Sequence, residues 1–279
     1  MQSQCPILER VTEAEKTEFS KDAWQIIRCK ETGFVFLSDP PAYELLEEEL
    51  AWEKTSAVEK ERRTKQEPVW SRLSDFAKTI KMSLFPRRNK FFKLLCSMVQ
   101  GAPSKPLTIL DVGCGSGELL EDICDRFKGR NQKVVPWGIE ISKNLAAIAE
   151  QKFQGLGGRV VSDSALGGAN SLEPNSLDVI IMSSFLEHEA QPLGLLRQLK
   201  TALRPDGVVI VKVPNFGCWN RMLRGEKWCG FRYPDHVNYF TPKTLQMLAS
   251  KAELPIARQK LTDKFPLSDN MYAVLKKAA

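Results

Sequence analysis

Three glycines on alternate positions, Gly113, Gly115 and Gly117, are preceded by the acid Asp111 and followed after an apolar stretch by a second acid, Glu140. Glycine adopts backbone angles closed to residues with a Cβ, so such a turn lets a ligand come close to the main chain. The residues that follow, Glu118-Leu119-Leu120, open a helix, and a helix N-terminus offers free N–H groups to electron-rich atoms. The dinucleotide fingerprint is Gly-x-Gly-x-x-Gly with an acid roughly 20 residues further on. Here the third glycine falls one position early, and Glu118 stands where that fingerprint wants glycine. An NAD site is therefore the weaker of two nucleotide readings.

The chain has two histidines, one just past an apolar strand-like run and the other late in the long insertion that follows the run Val208 to Val213. His188 follows Leu177-Asp178-Val179-Ile180-Ile181-Met182, and His236 opens His236-Val237-Asn238-Tyr239-Phe240-Thr241-Pro242. Where a reaction requires a group to lose its proton, imidazole is the side chain best tuned to take it near neutrality. The competing role for either histidine is to anchor its loop by hydrogen bonds. Glu187 and His188 alone make a poor cation site, so no metal is expected there. Residues 214 to 241 form a long insertion rich in aromatic and basic groups, and a loop of that length is usually a functional lid. Its rings Trp219, Trp228, Tyr233 and Tyr239 are the expected lining for an acceptor.

The elements that must hold these groups follow from composition and pattern. A chain of 279 residues at 43% hydrophobic composition buries one large core plus an appendage. Apolar strands and helical stretches alternate after Pro106, as a parallel doubly wound sheet requires. Ser142 and Thr241 are placed as helix N-caps, with Pro242 at a first helical position. Upstream, helices are expected over 41–66, 70–81 and 86–100, the first with acids early and bases late to suit the helix dipole. Between residues 71 and 93 seven basic side chains face one acid, Asp75, within a net charge of +6. A solvated helix face is favoured over a nucleic-acid surface for that patch. No signal peptide or apolar run of membrane-spanning length is seen, and seven scattered cysteines fit reduced thiols, so a cytoplasmic location is expected.

Gly-x-Gly-x-Gly after Asp111, with Glu140 ending the next strand, resembles motif I and the ribose-binding acid of the class I S-adenosylmethionine-dependent methyltransferases. The resemblance covers about residues 106 to 279. It implies an α/β fold: a Rossmann-like, doubly wound, seven-stranded sheet, whose last two strands would lie at 259–264 and 271–276, the final one antiparallel. It also implies S-adenosyl-L-methionine as cofactor. Asp111, Gly113, Gly115 and Gly117 would face its methionine part, Glu140 its ribose, Asp163 with Ser164 its adenine, and Ser183 would border the same crevice. Leu186-Glu187-His188 is similar to the subgroup containing the ubiquinone-biosynthesis O-methyltransferases. Some of those carry Glu-x-x-Glu-His to gather a divalent cation, whereas Ser184 stands here for the first Glu. Leu203-Arg204-Pro205-Asp206-Gly207 is a further family mark, with a turn expected over 204–207 before a strand from Val208 to Val213.

Several methyltransferases with a similar C-terminal half begin with a zinc ribbon, in which paired C-x2-C halves supply four thiolates. Here Cys5 and Cys29 keep the first ligand of each half, while Leu8 and Thr32 replace the second. No zinc is expected in this degenerate ribbon. The implied organisation is a hairpin over 1–36, a helical extension and linker over 37–105, and a catalytic domain over 106–279 with its lid at 214–241. The implied activity is methyl transfer to a small or lipid-like acceptor at a hydroxyl oxygen. An RNA, sugar or nitrogen acceptor, or a non-catalytic assembly factor with this fold, are the alternatives.

Overall fold

The computed structural model describes residues 1–21, 23–41, 90–98 and 105–278. The helices expected over 41–66 and 70–81, and the basic side chains from Arg72 to Arg88, lie outside the described residues. Met1–Pro41 and Gly101–Ala279 belong to one compact unit and Ala42–Gln100 to a second. From the second, helix α1 (Lys90–Met98) is described; Phe91, Leu94 and Leu95, three and four residues apart, are its buried stripe.

The first unit opens with β1 (Gln2–Cys5), β2 (Arg10–Lys16), β3 (Ile26–Cys29) and β4 (Val35–Leu37). The alternating strand and helix pattern follows as β5 (Leu107–Val112), α2 (Glu118–Lys128), β6 (Val134–Glu140), α3 (Lys143–Gln154), β7 (Arg159–Ser162), α4 (Ala165–Asn170), β8 (Leu177–Ser183), α5 (Pro192–Ala202) and β9 (Leu203–Pro214). The chain ends through α6 (Trp219–Arg224), β10 (Asn238–Tyr239), α7 (Pro242–Lys251), β11 (Ile256–Arg258) and β12 (Asn270–Lys276). The large sheet has the order β11-β12-β9-β8-β5-β6-β7. Strands β5 to β9 within it pair in parallel, and β12 runs antiparallel to both β9 and β11. Its central strands are apolar without interruption, with Val179, Ile180, Ile181 and Met182 fully buried, because a parallel sheet is covered on both faces.

Caps end the helices where the sequence offers them. The Ser142 side chain accepts from the Leu145 N–H, and Thr241 forms a reciprocal capping box with Thr244 ahead of α7. Two boundaries differ from expectation. The strand expected at 259–264 lies at Ile256–Arg258, where Ile256 pairs with Leu275. Beyond it the Lys260 N–H donates to Asp263 Oδ2 at 2.9 Å, closing a helical turn over Leu261–Asp263. The turn expected at 204–207 is contained in β9, because Leu177 pairs with Leu203 and Val179 with Val208, and the irregularity between them absorbs the extra residues.

The N-terminal strands form a sheet in the order β1-β2-β3-β4-β10. Its last strand comes from the far end of the 214–241 insertion, with Asn238 opposite Phe36 and Tyr239 opposite Val35. Phe19, Val35, Leu37, Phe216, Trp228, Phe231 and Tyr239 bury one another in a shared core, each worth roughly 1.5–3 kcal/mol. A boundary at residue 36 therefore separates stretches of sequence that pack as one. In the N-terminal sheet, Thr12 Oγ1 lies 3.4 Å from Cys29 Sγ and Thr32 Oγ1 lies 3.8 Å from Cys5 Sγ. Hydroxyls thus meet the two buried thiols, and burial pushes the Cys5 thiol up.

Candidate active site

In the large sheet β6 lies on one side of β5 and β8 on the other, so the connections leave in opposite directions and open a crevice at the strands' carboxyl ends. The glycine turn sits there. Its first residues are tied to β6, because the Gly113 and Cys114 N–H groups both donate to the Ile139 carbonyl, at 2.8 and 3.1 Å. Gly113, Gly115 and Gly117 have φ of 70°, 55° and 81°, the left-handed region. At Gly113 a Cβ would also stand 2.4 Å from the Phe185 ring, so a side chain is excluded twice over. At Gly115 nothing among the described residues lies within 4 Å of that position, which leaves space against the turn on that count.

Two acids flank this space. Glu140 is buried, with Oε2 accepting from the Gly115 N–H at 2.8 Å and Oε1 from the Ser142 N–H at 2.9 Å. Asp111 is buried, and its Oδ1 has no hydrogen-bond partner among the described residues. Burial, with the Glu140 charge adding to it, holds the Asp111 carboxyl well above the usual range. Asp163 and Ser164 follow β7 at the neighbouring strand end, where Glu140 pairs with Ser162. The Ser164 N–H donates to Asp163 Oδ1 at 2.6 Å, and the Ser164 hydroxyl caps α4. Ser183 ends β8 opposite Lys212. The eight residues expected to hold a cofactor thus stand along one edge of the sheet.

The two histidines, distant in sequence, meet with their ring centroids 4.7 Å apart. His188 Nδ1 donates to the Asp235 carbonyl at 2.9 Å, and His236 Nδ1 donates to the Gly230 carbonyl at 2.8 Å. The main chain binds the same two loops: Val237 and Asn238 N–H donate to the Glu187 carbonyl at 2.8 and 3.0 Å. The Asn238 amide reaches the Leu186 and Glu189 carbonyls at 2.9 and 2.6 Å. Burial and the Arg232 charge push His188 down to about 4. Glu187 is pushed up to about 8 by burial, against the pull of a backbone hydrogen bond, Lys212 and Arg232. Burial lowers Lys212, whose ammonium donates to the Ser184 hydroxyl at 2.9 Å. Ser184 itself has φ of 57°, unusual for a residue with a side chain.

The four aromatic residues expected to line an acceptor separate. Trp228 is 2% exposed, its indole N–H donating to Asp269 at 2.7 Å, and Tyr239 is 3% exposed beside it. The Tyr233 hydroxyl donates to the Phe19 carbonyl at 2.6 Å. These three rings belong to the core shared with the N-terminal sheet, whereas Trp219 is 56% exposed. Sequence reading passed over Lys212, Arg232, Asp235, Asn238 and Asp269. Asp235 and Asn238 flank His236 so closely that their polarity in an otherwise aromatic segment was the available signal; Asp269 gave none.

A family model described as "Methyltransferase domain" matches residues 69–259. The chain is 27% identical over 170 residues to a ubiquinone biosynthesis O-methyltransferase of Aeromonas salmonicida, spanning 58% of this chain and 68% of that protein. It is 32% identical over 165 residues to the biotin biosynthesis bifunctional protein BioHC of Teredinibacter turnerae, spanning 53% of this chain and 28% of that one. The fold is shared with a SAM-dependent methyltransferase from Archaeoglobus fulgidus, at a TM-score of 0.50 and 18% identity over 72% of this chain and 100% of that one. A second such enzyme, from Clostridium acetobutylicum, aligns with a TM-score of 0.50 and 13% identity over 74% of this chain and 99% of that one.

Proposed function

The chain belongs to the methyltransferase-domain family, and from that premise we propose that it methylates a hydroxyl oxygen of a small or lipid-like acceptor, with S-adenosylmethionine as the donor. The observation that carries the donor site is the pair of buried acids around the turn: Glu140 fixed by two backbone N–H groups, Asp111 with an oxygen that lacks a partner among the described residues, and space at Gly115 between them. These residues fit a nucleoside cofactor. Glu140 takes the ribose hydroxyls with its remaining lone pairs, Asp163 the adenine amine, and Asp111 with the turn the amino-acid end. When bound, S-adenosylmethionine supplies an activated methyl group, so the protein's task is largely to align an acceptor with it. The hydroxyl target rests on the relatives named as O-methyltransferases.

Of the two roles open to the histidines, the hydrogen bonds to Asp235 and Gly230 support the anchoring one. The His188 ring holds the segment 230–238 against the loop after β8, the His236 ring closes that segment on itself, and the two thereby set one wall of the acceptor's space. The experiment is a thermal-shift series followed by turnover. S-adenosylhomocysteine at about 100-fold over its dissociation constant should stabilise the protein by roughly 2.7 kcal/mol, and NAD should give no shift. Incubation with methyl-labelled donor and hydroxylated aromatic or lipid extracts should yield products one methyl heavier, with the label on oxygen. A shift with NAD and none with S-adenosylhomocysteine would overturn the donor assignment; label on nitrogen or carbon would overturn the acceptor.

A further inference from the structure

We propose that Lys212 is an oxyanion-binding residue of the acceptor site, its ammonium holding a negatively charged oxygen of the acceptor beside the cofactor crevice. Sheet register puts it there. Neighbouring residues that pair across a sheet share a face, and residues two apart on a strand return to it. Asp111 pairs with Gly138 of β6 and with Ile181 of β8, and Ile181 pairs with Ile210 of β9. Two residues further on, toward the carboxyl ends, stand Glu140, Ser183 and Lys212. In the order β9-β8-β5-β6 they form, with Asp111, one polar row on one face of the sheet. The two acids occupy the β5 and β6 end of the row. Lys212 lies two strands, about 10 Å, beyond Asp111 across the sheet, on the side left for the acceptor.

The charge at that position is fixed but not balanced. Lys212 is half-buried, and Nζ donates to the Ser184 hydroxyl at 2.9 Å. The Ser184 N–H donates in turn to the Lys212 carbonyl at 2.9 Å, in the turn where Ser184 takes its positive φ. A hydroxyl is neutral, and an ammonium has three donors, so two of them have no acceptor among the described residues. Arg232 is paired with Asp235 at 3.0 Å, whereas no carboxylate is paired with Lys212 among the described residues. The acid that acts on it, Glu187, is pushed up to about 8 by burial and so keeps its proton at neutral pH. Burial lowers the Lys212 ammonium, and an oxyanion beside it restores by charge-assisted hydrogen bonds what desolvation removes. An oxygen that arrives ionised has no proton to give up, which agrees with the anchoring bonds made by both histidines. The inference rests on the reading of this crevice as a methyl-transfer site and adds the charge of the acceptor.

The test titrates the full chain by calorimetry, with and without S-adenosylhomocysteine, using three probes of similar shape: 4-nitrophenolate, 4-nitrobenzoate and the neutral 4-nitroanisole. At least one anion should bind about 10-fold or more tightly than 4-nitroanisole. Preference for the phenolate marks an ionised hydroxyl as the group held, and preference for the benzoate marks a carboxylate. Bound 4-nitrophenol, followed by its visible band, should ionise about one pH unit or more below free 4-nitrophenol, because a cation stands beside it. Lys212→Met should weaken the preferred anion by about 10- to 100-fold and leave 4-nitroanisole unchanged, as loss of a hydrogen bond to a charged group implies. Lys212→Arg should restore most of that loss. Should Lys212→Met fail to fold, the wild-type preference for anion over 4-nitroanisole decides by itself. Wild type that binds neither anion, or binds 4-nitroanisole equally well, or a folded Lys212→Met with unchanged anion affinity, would each overturn the assignment. Stabilisation by S-adenosylhomocysteine without anion preference sinks this inference alone; no response to S-adenosylhomocysteine sinks the donor reading, and the donor-free titrations still judge Lys212.

Discussion

Glu140 and Glu187 are both buried acids at strand ends, yet their surroundings differ. Glu140 has each oxygen on a backbone N–H, from groups that the glycine turn and the start of α3 place a few residues away. Glu187 has an oxygen with no partner among the described residues, two histidines beside it, and cationic neighbours from β9 and the insertion. One acid is satisfied by local chain geometry; the other sits where two distant loops meet, and its protonation depends on both. The comparison separates a site built within a short stretch from one that only the finished fold assembles.

The strongest challenge to the local site is Glu140→Ala. It removes the acceptor of two backbone N–H groups and of the proposed ribose contacts, each bond to a charged group being worth about 1.5–3 kcal/mol. Affinity for S-adenosylhomocysteine, measured by calorimetry, should fall about 100-fold or more. A loss under about threefold would reduce Glu140 to a brace for the turn.

At the distant site the sharper probe is pH. In the folded protein Glu187 keeps its proton up to about 8, whereas in the unfolded chain it ionises near 4.5. The folded form therefore binds the extra proton, and stability falls as pH rises through that window. His188 works in the opposite direction between about 4 and 6.5, where the unfolded chain holds the extra proton. The Glu187 effect is thus uncovered between about 6.5 and 8, where it amounts to about 2 kcal/mol. Asp111 has the same sign and is common to wild type and Glu187→Gln, so the difference between their denaturation curves isolates Glu187. Equal slopes in the two proteins would show that Glu187 titrates like an exposed acid.

Two smaller changes mark where the distant site ends. Thr241→Ala removes the cap of α7 just past His236 and should cost about 1 kcal/mol in urea unfolding, with affinity for S-adenosylhomocysteine unaltered. A coupled loss of affinity would join the two sites energetically. Trp219→Ala, on the exposed part of the same insertion, should change stability by less than about 0.5 kcal/mol and leave both sites intact.

The same contrast explains what could be read in advance. Asp111, the glycines and Glu140 lie close enough in sequence for spacing to carry the geometry, and the apolar runs of β5, β6, β8 and β9 gave the sheet. The pairing of β10 with β4 and the meeting of His188 with His236 were hidden, because no periodicity reports which distant loops will touch. Trp228, Tyr233 and Tyr239 were read as acceptor lining for a related reason. An aromatic ring in an insertion has the same letter whether it faces a ligand or closes a core, and here the Asp269 and Phe19 contacts that fix their packing lie far along the chain.

The edge that β4 presents to β10 also has a consequence in time. Val35 leaves the ribosome 204 residues before its partner Tyr239, and at about 5–20 residues per second that is a delay of roughly 10–40 s. During it the nascent hairpin carries an unfilled strand edge and the apolar side chains that Trp228 and Phe231 will later cover. Closure then needs a contact across that same stretch, so this sheet is completed only after the insertion has been made. Synthesis at a rapid rate or in crowded polysomes should therefore expose this edge to pairing between chains before the insertion arrives.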